Sequence, residues 1–256
     1  MKRQIAVSLV FGGAVFLFAT ASQADVVFTD GTFASADYSE GFVYSAGAGN
    51  TATFGQCASC GNPGLGLQSV FMTSADGGTA GTAADFIGIM NTTFSYNPGS
   101  GSVSSIDVSI DKDLSANLVN TYGNTFRFLL EQDGNFYQFG IPGPELVGSG
   151  TTGFNTISDT GITAADFALI DTSNATLDPA SNPNFSGDPM LFGIGQYLSS
   201  TGLSGDNPTV TYAYDNFDVT VHTESVPEPT SLALLGSGLA GAAAMRRRKK
   251  KSAKQR

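Results

Sequence analysis

One histidine, two cysteines and 22 carboxylates are the side chains of this 256-residue sequence that could carry acid–base, nucleophilic or redox chemistry. Their spacing withholds most of it. A Ser-His-Asp relay needs a histidine held between its partners. His222 instead falls at the end of the last predicted strand, beside the proline-rich stretch that starts at Val226, and reads as a linker residue. Glycoside hydrolysis needs two carboxylates about 5–9.5 Å apart. The nearest approach is Glu131-Gln132-Asp133, which runs into a turn glycine and asparagine and lacks a third acid. The two thiols of Cys57-Ala58-Ser59-Cys60 fall short of a structural zinc site. They also lack the βαβ setting of a thioredoxin-like redox pair. In an exported chain this spacing predicts a local Cys57–Cys60 disulfide that pins a loop.

Two more features belong to the last predicted strand. Asp215 alternates with Phe217, Val219 and Val221, so an ideal strand points its carboxylate inward, where an unpartnered charge is costly. A β-bulge that swings Asp215 outward is one resolution. Tyr212 and Tyr214 fall on the opposite face, where they either stack on a glycan or cover the sheet. With eight tyrosines and no tryptophan, the sequence is sparing with the platforms a lectin uses.

The elements that position these residues are read from a two-residue period. Ile106, Val108 and Ile110 share one face of a strand, and Ser105, Asp107, Ser109 and Asp111 the other. Phe126, Phe128 and Leu130 repeat the pattern, and Asp133-Gly134 then turns the chain into Phe136-Tyr137-Gln138-Phe139, a hairpin. Further strands are predicted over Val26 to Thr29, Leu65 to Thr73, Phe86 to Tyr96, Met190 to Tyr197 and Thr209 to His222. Only Ile162 to Ile170 reads as helix, with Thr163 or Gly161 as cap and Asp166 in its first turn. Leu177 to Pro189 reads as a long surface loop. Eight or more short strands separated by Gly, Asn and Pro predict an all-β, two-sheet β-sandwich of the jelly-roll kind.

Composition agrees with that class. Charged residues make up 13% against a usual ~25%. Glycine, at 32 residues, is nearly double its usual ~7%, so turns are frequent. With 41% hydrophobic residues and 19 phenylalanines the chain still buries a core. Charge is segregated: between residues 25 and 225 only Lys112 and Arg127 are basic, against 21 acids, a formal −19. Such a body repels phosphate backbones, which excludes nucleic acid as a partner.

The basic residues mark the two ends. Lys2 and Arg3, the apolar run Ile5 to Ala19 and the small-residue exit Ser22-Gln23-Ala24 form a signal peptide over 1–24, with cleavage between Ala24 and Asp25. At the other end stand Val226-Pro227-Glu228-Pro229, the apolar stretch Thr230 to Met245 and six consecutive basic residues from Arg246. At ~1.5 Å per residue that stretch gives a transmembrane helix of about 24 Å, short of the ~30 Å hydrocarbon core. The positive-inside rule puts the basic tail, 246–256, in the cytoplasm and the body outside the inner membrane. The organisation read from sequence is therefore a signal peptide 1–24, a body 25–225 and a terminal signal 226–256.

This tripartite end resembles the PEP-CTERM sorting signal. Val226, Pro227, Glu228 and Pro229 match its motif, Leu234-Leu235-Gly236 and Gly238-Leu239-Ala240 its helix, and Arg246, Arg247 and Arg248 its tail. The resemblance implies processing by exosortase, a membrane transpeptidase-like protease of Gram-negative bacteria that make exopolysaccharide. It implies an inner-membrane intermediate and then the cell surface or extracellular matrix. Cys60-Gly61-Asn62-Pro63-Gly64, Asn182-Pro183-Asn184-Phe185-Ser186 before Leu191-Phe192-Gly193, and Tyr214-Asp215-Asn216-Phe217-Asp218-Val219 are similar to segments of exported PEP-CTERM proteins. Their bodies are similar to concanavalin-like and carbohydrate-binding-module jelly rolls. That likeness implies a structural Ca²⁺ between Asp215 of the last strand and Asp30 of the first, as the alternative to the bulge. The function expected is a non-enzymatic module that binds glycan, such as exopolysaccharide. The competing readings are a structural or adhesive matrix protein without a defined ligand and a divergent glycoside hydrolase.

Overall fold

A computed structural model describes residues 25–46, 49–72, 82–113, 122–140, 153–201, 209–224 and 238–239. The signal peptide with Ala24, the motif Val226 to Pro229 and the tail with Arg246, Arg247 and Arg248 lie outside the described residues. Of the predicted terminal helix only Gly238 and Leu239 are described, and they are helical. The strands belong to one unit, Gln23–Glu224.

In chain order the strands are β1 (Val26–Asp30), β2 (Tyr38–Ala46), β3 (Thr51–Gly61), β4 (Gly64–Met72), β5 (Thr82–Tyr96), β6 (Val103–Asp113) and β7 (Tyr122–Gln132). There follow β8 (Asn135–Gly140), β9 (Phe154–Ile162), β10 (Ala168–Asp171), β11 (Thr176–Asp178), β12 (Met190–Thr201) and β13 (Thr209–Thr223). They form two antiparallel sheets. One runs β3-β4-β13-β6-β9, with β1 also paired to β13; the other runs β11-β10-β8-β7-β12-β5-β2. The all-β two-sheet sandwich expected from the period-two pattern is therefore the fold.

Alternation decides what lies between the sheets. Ile106, Val108 and Ile110 from β6 meet Phe126, Phe128 and Leu130 from β7, all buried. Phenylalanines stitch the layers: Phe128 stacks on Phe192 at 5.9 Å and meets Phe217 of the facing sheet at 6.4 Å, and Phe217 stacks on Phe94 at 5.4 Å. A polar link crosses the same gap. The Tyr214 hydroxyl donates to Gln196 Oε1 at 3.0 Å and lies 2.9 Å from Ser69 Oγ. Burial holds the Tyr214 phenol well above its usual pKa, which keeps that proton in place. The predicted hairpin turn is present, with Asp133 and Gly134 at φ 53° and 73°.

Two segments differ from expectation. Ile162 to Ile170 is not a helix. It is a single 3-10 turn, Ala164–Asp166, followed by β10. Thr163 and Asp166 do form the expected capping box, but Phe167 belongs to the core between the sheets and Ile170 to a cluster on the other side of its sheet. Only extended chain sends residues so close in sequence to opposite faces. Leu177 to Pro189 is mostly exposed, yet it begins in β11 and sends Pro183 and Phe185 into the interior.

The decisive irregularity is in β13. Its register with β6 shifts between Asp215 and Asp218, and Asn216 takes φ 48°. One extra residue reverses the alternation, so Tyr212 and Tyr214 face the core on one side of the bulge, and Phe217, Val219 and Val221 on the other.

Phe128 is fully buried where the sheets meet. Phe128→Ala should cost about 3–5 kcal/mol in urea unfolding, whereas Val27→Ala, at a side chain 59% exposed, should stay within about 0.5 kcal/mol. Similar losses for both would contradict this core.

Candidate functional site

The bulge places Asp215 at the β3–β4 turn. Asp215 is 2% exposed, and its Oδ1 accepts the Asn216 amide at 2.8 Å while Oδ2 accepts the Asn62 amide. Asp30 is equally engaged: Oδ1 accepts Thr32 N at 2.8 Å, Thr32 Oγ1 at 3.1 Å and Phe33 N at 2.9 Å, and Oδ2 accepts the Tyr38 hydroxyl at 3.0 Å. Protein donors aimed at these oxygens would face a cation with their positive ends. Ca²⁺ takes six to eight oxygen ligands, and among the described residues no three His, Cys, Asp or Glu side chains stand together to hold a metal. The pair does not fit a calcium site; the bulge and the two amides solve the buried charge instead. Tyr212 and Tyr214 are 0% exposed, so neither offers a face to glycan. The reason is the reversed alternation.

Cys57 and Cys60 form a disulfide, with Cα atoms 5.7 Å apart, within the outer part of β3 rather than in a free loop. Here β3 slips against β4 between Cys57 and Gly61, and the bridge closes that excursion above Asp215. Glu131 and Asp133 serve their hairpin: Glu131 Oε1 accepts the Gly134 amide at 2.8 Å.

His222 is not a linker residue. It stands in β13 with Nε2 2.9 Å from Asp107 Oδ2 on β6 and Nδ1 3.1 Å from Asp25 Oδ1 at the start of β1. The hydrogen bond to Asp107 raises its pKa above the ordinary 6.5; burial opposes this, and Asp25 adds to it. Burial alone would raise Asp107, but hydrogen bonds from His222 and the Gly161 amide, with the His222 charge, hold it below the ordinary carboxylate range.

The feature that sequence reasoning missed is the outer face of the seven-stranded sheet, the side turned away from the core. Cross-strand register aligns Tyr44, Phe86, Tyr197 and Thr125 in one row across β2, β5, β12 and β7. The next row is Phe42, Gly88, Gly195, Arg127 and Gly140. The glycines make room. A Cβ on Gly88 would collide with the Phe42 ring, and one on Gly140 would lie 2.8 Å from Arg127 Nη1, so the ring and the guanidinium lie flat across bare backbone. Phe42 meets Phe86 edge-on at 5.0 Å and Phe136 at 5.2 Å, and Phe86 meets Tyr197 at 5.9 Å. Phe42, Phe86, Met90, Leu129 and Ile170 thereby form a second apolar cluster.

Over this floor the β10–β11 hairpin raises a wall, with Ala175 packed into the cluster and Leu177 47% exposed at the rim. The result is a cavity of about 240 Å³ lined by Phe86, Tyr197, Thr125, Arg127, Gln138, Ala175 and Leu177. It exceeds the ~150 Å³ that admits benzene and falls short of the ~300 Å³ of the smallest drug-sized pockets. That is room for about one sugar ring. Gln138, 7% exposed, brings a side-chain amide to this lining. Thr125 Oγ1 is buried with no partner among the described residues. Burial, with Tyr44 and Asp85 nearby, raises the Tyr197 pKa, so its hydroxyl keeps its proton. The available signal was Phe86-x-Gly88-x-Met90 in one strand and Gly193-x-Gly195-x-Tyr197 in its neighbour.

Fold and chain end together define a class: an all-β two-sheet sandwich carried ahead of a C-terminal sorting signal. The signal is the PEP-CTERM protein-sorting motif, matched over residues 225–249. It marks an exported protein sorted by way of the membrane and implies processing by exosortase. No curated protein matches the chain. Among solved structures, a carbohydrate-binding module described for specific mannan recognition, TmCBM27, is similar at 11% identity and a TM-score of 0.36, over 78% of this chain and 100% of that one.

The clasp around His222 predicts a pH profile. Because the folded-state pKa of His222 is raised, its contribution is complete below the unfolded value of about 6.5 and is lost as pH rises through the folded value. Asp107 is lowered, so its contribution is lost as pH falls through its own folded value. Partly exposed pairs of this kind contribute about 0.2–1 kcal/mol. Between pH 6 and 9 the melting temperature should therefore drop by about 1–3 °C more in the wild type than in His222→Ala. Parallel profiles would show that the clasp carries no charge.

Proposed function

We propose that the body is a non-enzymatic carbohydrate-binding module that exosortase sorting delivers to the cell surface or exopolysaccharide matrix of a Gram-negative bacterium. The observation that carries this reading is Thr125 Oγ1, buried in the groove without a partner among the described residues, with the Gln138 amide lining the same groove. A buried hydroxyl without a partner costs about 1–3 kcal/mol, and a ligand that supplies the missing bond recovers it. The Gln138 amide offers a donor and an acceptor, and Thr125 Oγ1 offers both from one atom. A sugar ring presents the complementary hydroxyls on its edge and apolar C–H groups on its face. The C–H face suits Tyr197 and Leu177, and Arg127 donates from the side. Binding is favoured over catalysis because Glu131, of the nearest carboxylate pair, is spent on its own turn.

Isothermal titration of the purified protein against polysaccharides from an exopolysaccharide-producing host tests the reading. Saturable binding is expected. Gln138→Leu, which keeps volume and removes both polar atoms, should weaken it by about tenfold, and Tyr197→Ala by a similar factor, while Tyr212→Phe leaves it unchanged. Binding indifferent to Gln138 and Tyr197 would contradict the groove, and cleavage of the polymer would restore the hydrolase reading.

A further inference from the structure

Basic charge is scarce in the body, and its placement is selective. Between residues 25 and 225 stand 21 acids and two bases, Lys112 and Arg127. Lys112 is 2% exposed, with its ammonium over the Tyr212 ring. Arg127 is therefore the one Lys or Arg side chain of the body that reaches the surface, and it does so half-buried in the groove.

The local backbone is shaped for it. Gly140 pairs with Arg127 across β7 and β8, and a Cβ there would lie 2.8 Å from Nη1. Glycine at that position lets the guanidinium lie on the face that Gln138 shares, with Nη1 donating to the Phe126 carbonyl at 3.3 Å. The lining contains no carboxylate. Asp171 and Asp178, the acids of the hairpin wall, turn their oxygens to Ser173, Asn174, Ala180 and Ser181 in their own turns. Tyr197 keeps its proton and adds no negative charge.

A carboxylate on a bound sugar answers this lining. It is planar, and a guanidinium pairs with its two oxygens through parallel N–H bonds. A uronic acid carries that carboxylate where a neutral hexose has a hydroxymethyl group. It therefore needs no more room than the single ring that about 240 Å³ admits, whereas a sulfate or phosphate ester adds a tetrahedral group to the same ring. The rest of the body sets the charge density. At a formal −19 it repels a polymer charged at every residue, and least repels a chain whose acids stand singly between neutral sugars.

We propose that the groove selects an acidic sugar: Arg127 holds the carboxylate of one uronic acid residue in an otherwise neutral glycan, while Tyr197 and Leu177 cover the ring and Gln138 and Thr125 bond its hydroxyls. This rests on glycan binding in the groove and adds the charge of the ligand to it. Arg127 is the specificity-determining residue.

Isothermal titration of the purified protein with two probes tests the selection: a tetrasaccharide with one glucuronate among neutral sugars, and the same tetrasaccharide with that carboxylate reduced to the alcohol. The acidic probe should bind about 10- to 100-fold more tightly, the range expected of hydrogen bonds to a charged group. Arg127→Gln should erase that ratio. Gly140→Ala, whose methyl displaces the guanidinium, should shrink it, and Arg127→Lys, which keeps the charge and loses the fork, should retain part of it. Gln138→Leu should weaken both probes and leave the ratio standing. Equal affinities of the wild type for the two probes, both weakened in Gln138→Leu, would overturn the preference for acid and leave the groove a glycan site. A ratio that survives Arg127→Gln would overturn the role of Arg127. Binding of neither probe would overturn the acidic-sugar assignment, and if the polysaccharides of an exopolysaccharide-producing host also fail to bind, the glycan reading falls with it.

Discussion

The sandwich depends on one extra residue in β13. A 15-residue strand at the centre of its sheet cannot keep strict alternation and still send both Tyr212-x-Tyr214 and Phe217-x-Val219-x-Val221 to the same interior. The bulge at Asp215–Asp218 makes this possible, and it fixes much else. It divides the edge of β13 between two partners, β4 along Thr209–Tyr214 and β1 along Phe217–Val221. It leaves Asp215 where those partners meet, 2% exposed, with the amides of Asn62 and Asn216 donating to its two side-chain oxygens. The Cys57–Cys60 excursion lies over the same place, and Gly61 has no side chain because a Cβ there would strike the Leu65 carbonyl. Losing either amide would leave a buried carboxylate oxygen without its donor.

With the core closed by that strand, the two outer faces are free to differ. The face built on β6 carries Ser105, Asp107, Ser109 and Asp111, all partly exposed. On the other sheet the outer face is aromatic. Rings rest on glycine backbone, and a hairpin shields them from water. Lys112, one of the two basic residues of the body, is buried with its ammonium 4.6 Å from the Tyr212 ring centroid. Arg127, the other, lies in the groove.

Local chemistry made part of this readable in sequence. Asp133-Gly134 fixed its hairpin because few residues accept positive φ. Ile106, Val108 and Ile110 declared their face because β6 has one wet side and one dry side. The terminal signal declared itself through three adjacent segments of unlike composition. What stayed hidden depended on distant partners. Strict alternation puts Tyr212 and Tyr214 on the wrong face because a bulge shifts parity without a residue type that announces it; Asn216, at φ 48°, is a permissive hint and no more. His222 has no partner near it in sequence, because Asp25 and Asp107 are brought to it only by pairing β1 and β6 against β13. Around Phe86 and Gly195 both faces of the strands are apolar, so a period-two reading sees a strand and cannot see that one face is a groove.

A glycan that binds the body should meet it in the groove between Tyr197 and Gln138. Resonance-resolved titration of labelled protein with a soluble oligosaccharide fragment of the exopolysaccharide measures this directly, because the Gln138 side-chain amide gives its own signal. Binding in the groove gives saturable shifts of that amide and of the Tyr197 ring, with signals from Tyr212, Tyr214 and the β6 outer face unmoved. Saturable binding that leaves Gln138 and Tyr197 unshifted, or shifts centred on Asp107 and Asp111, would contradict it.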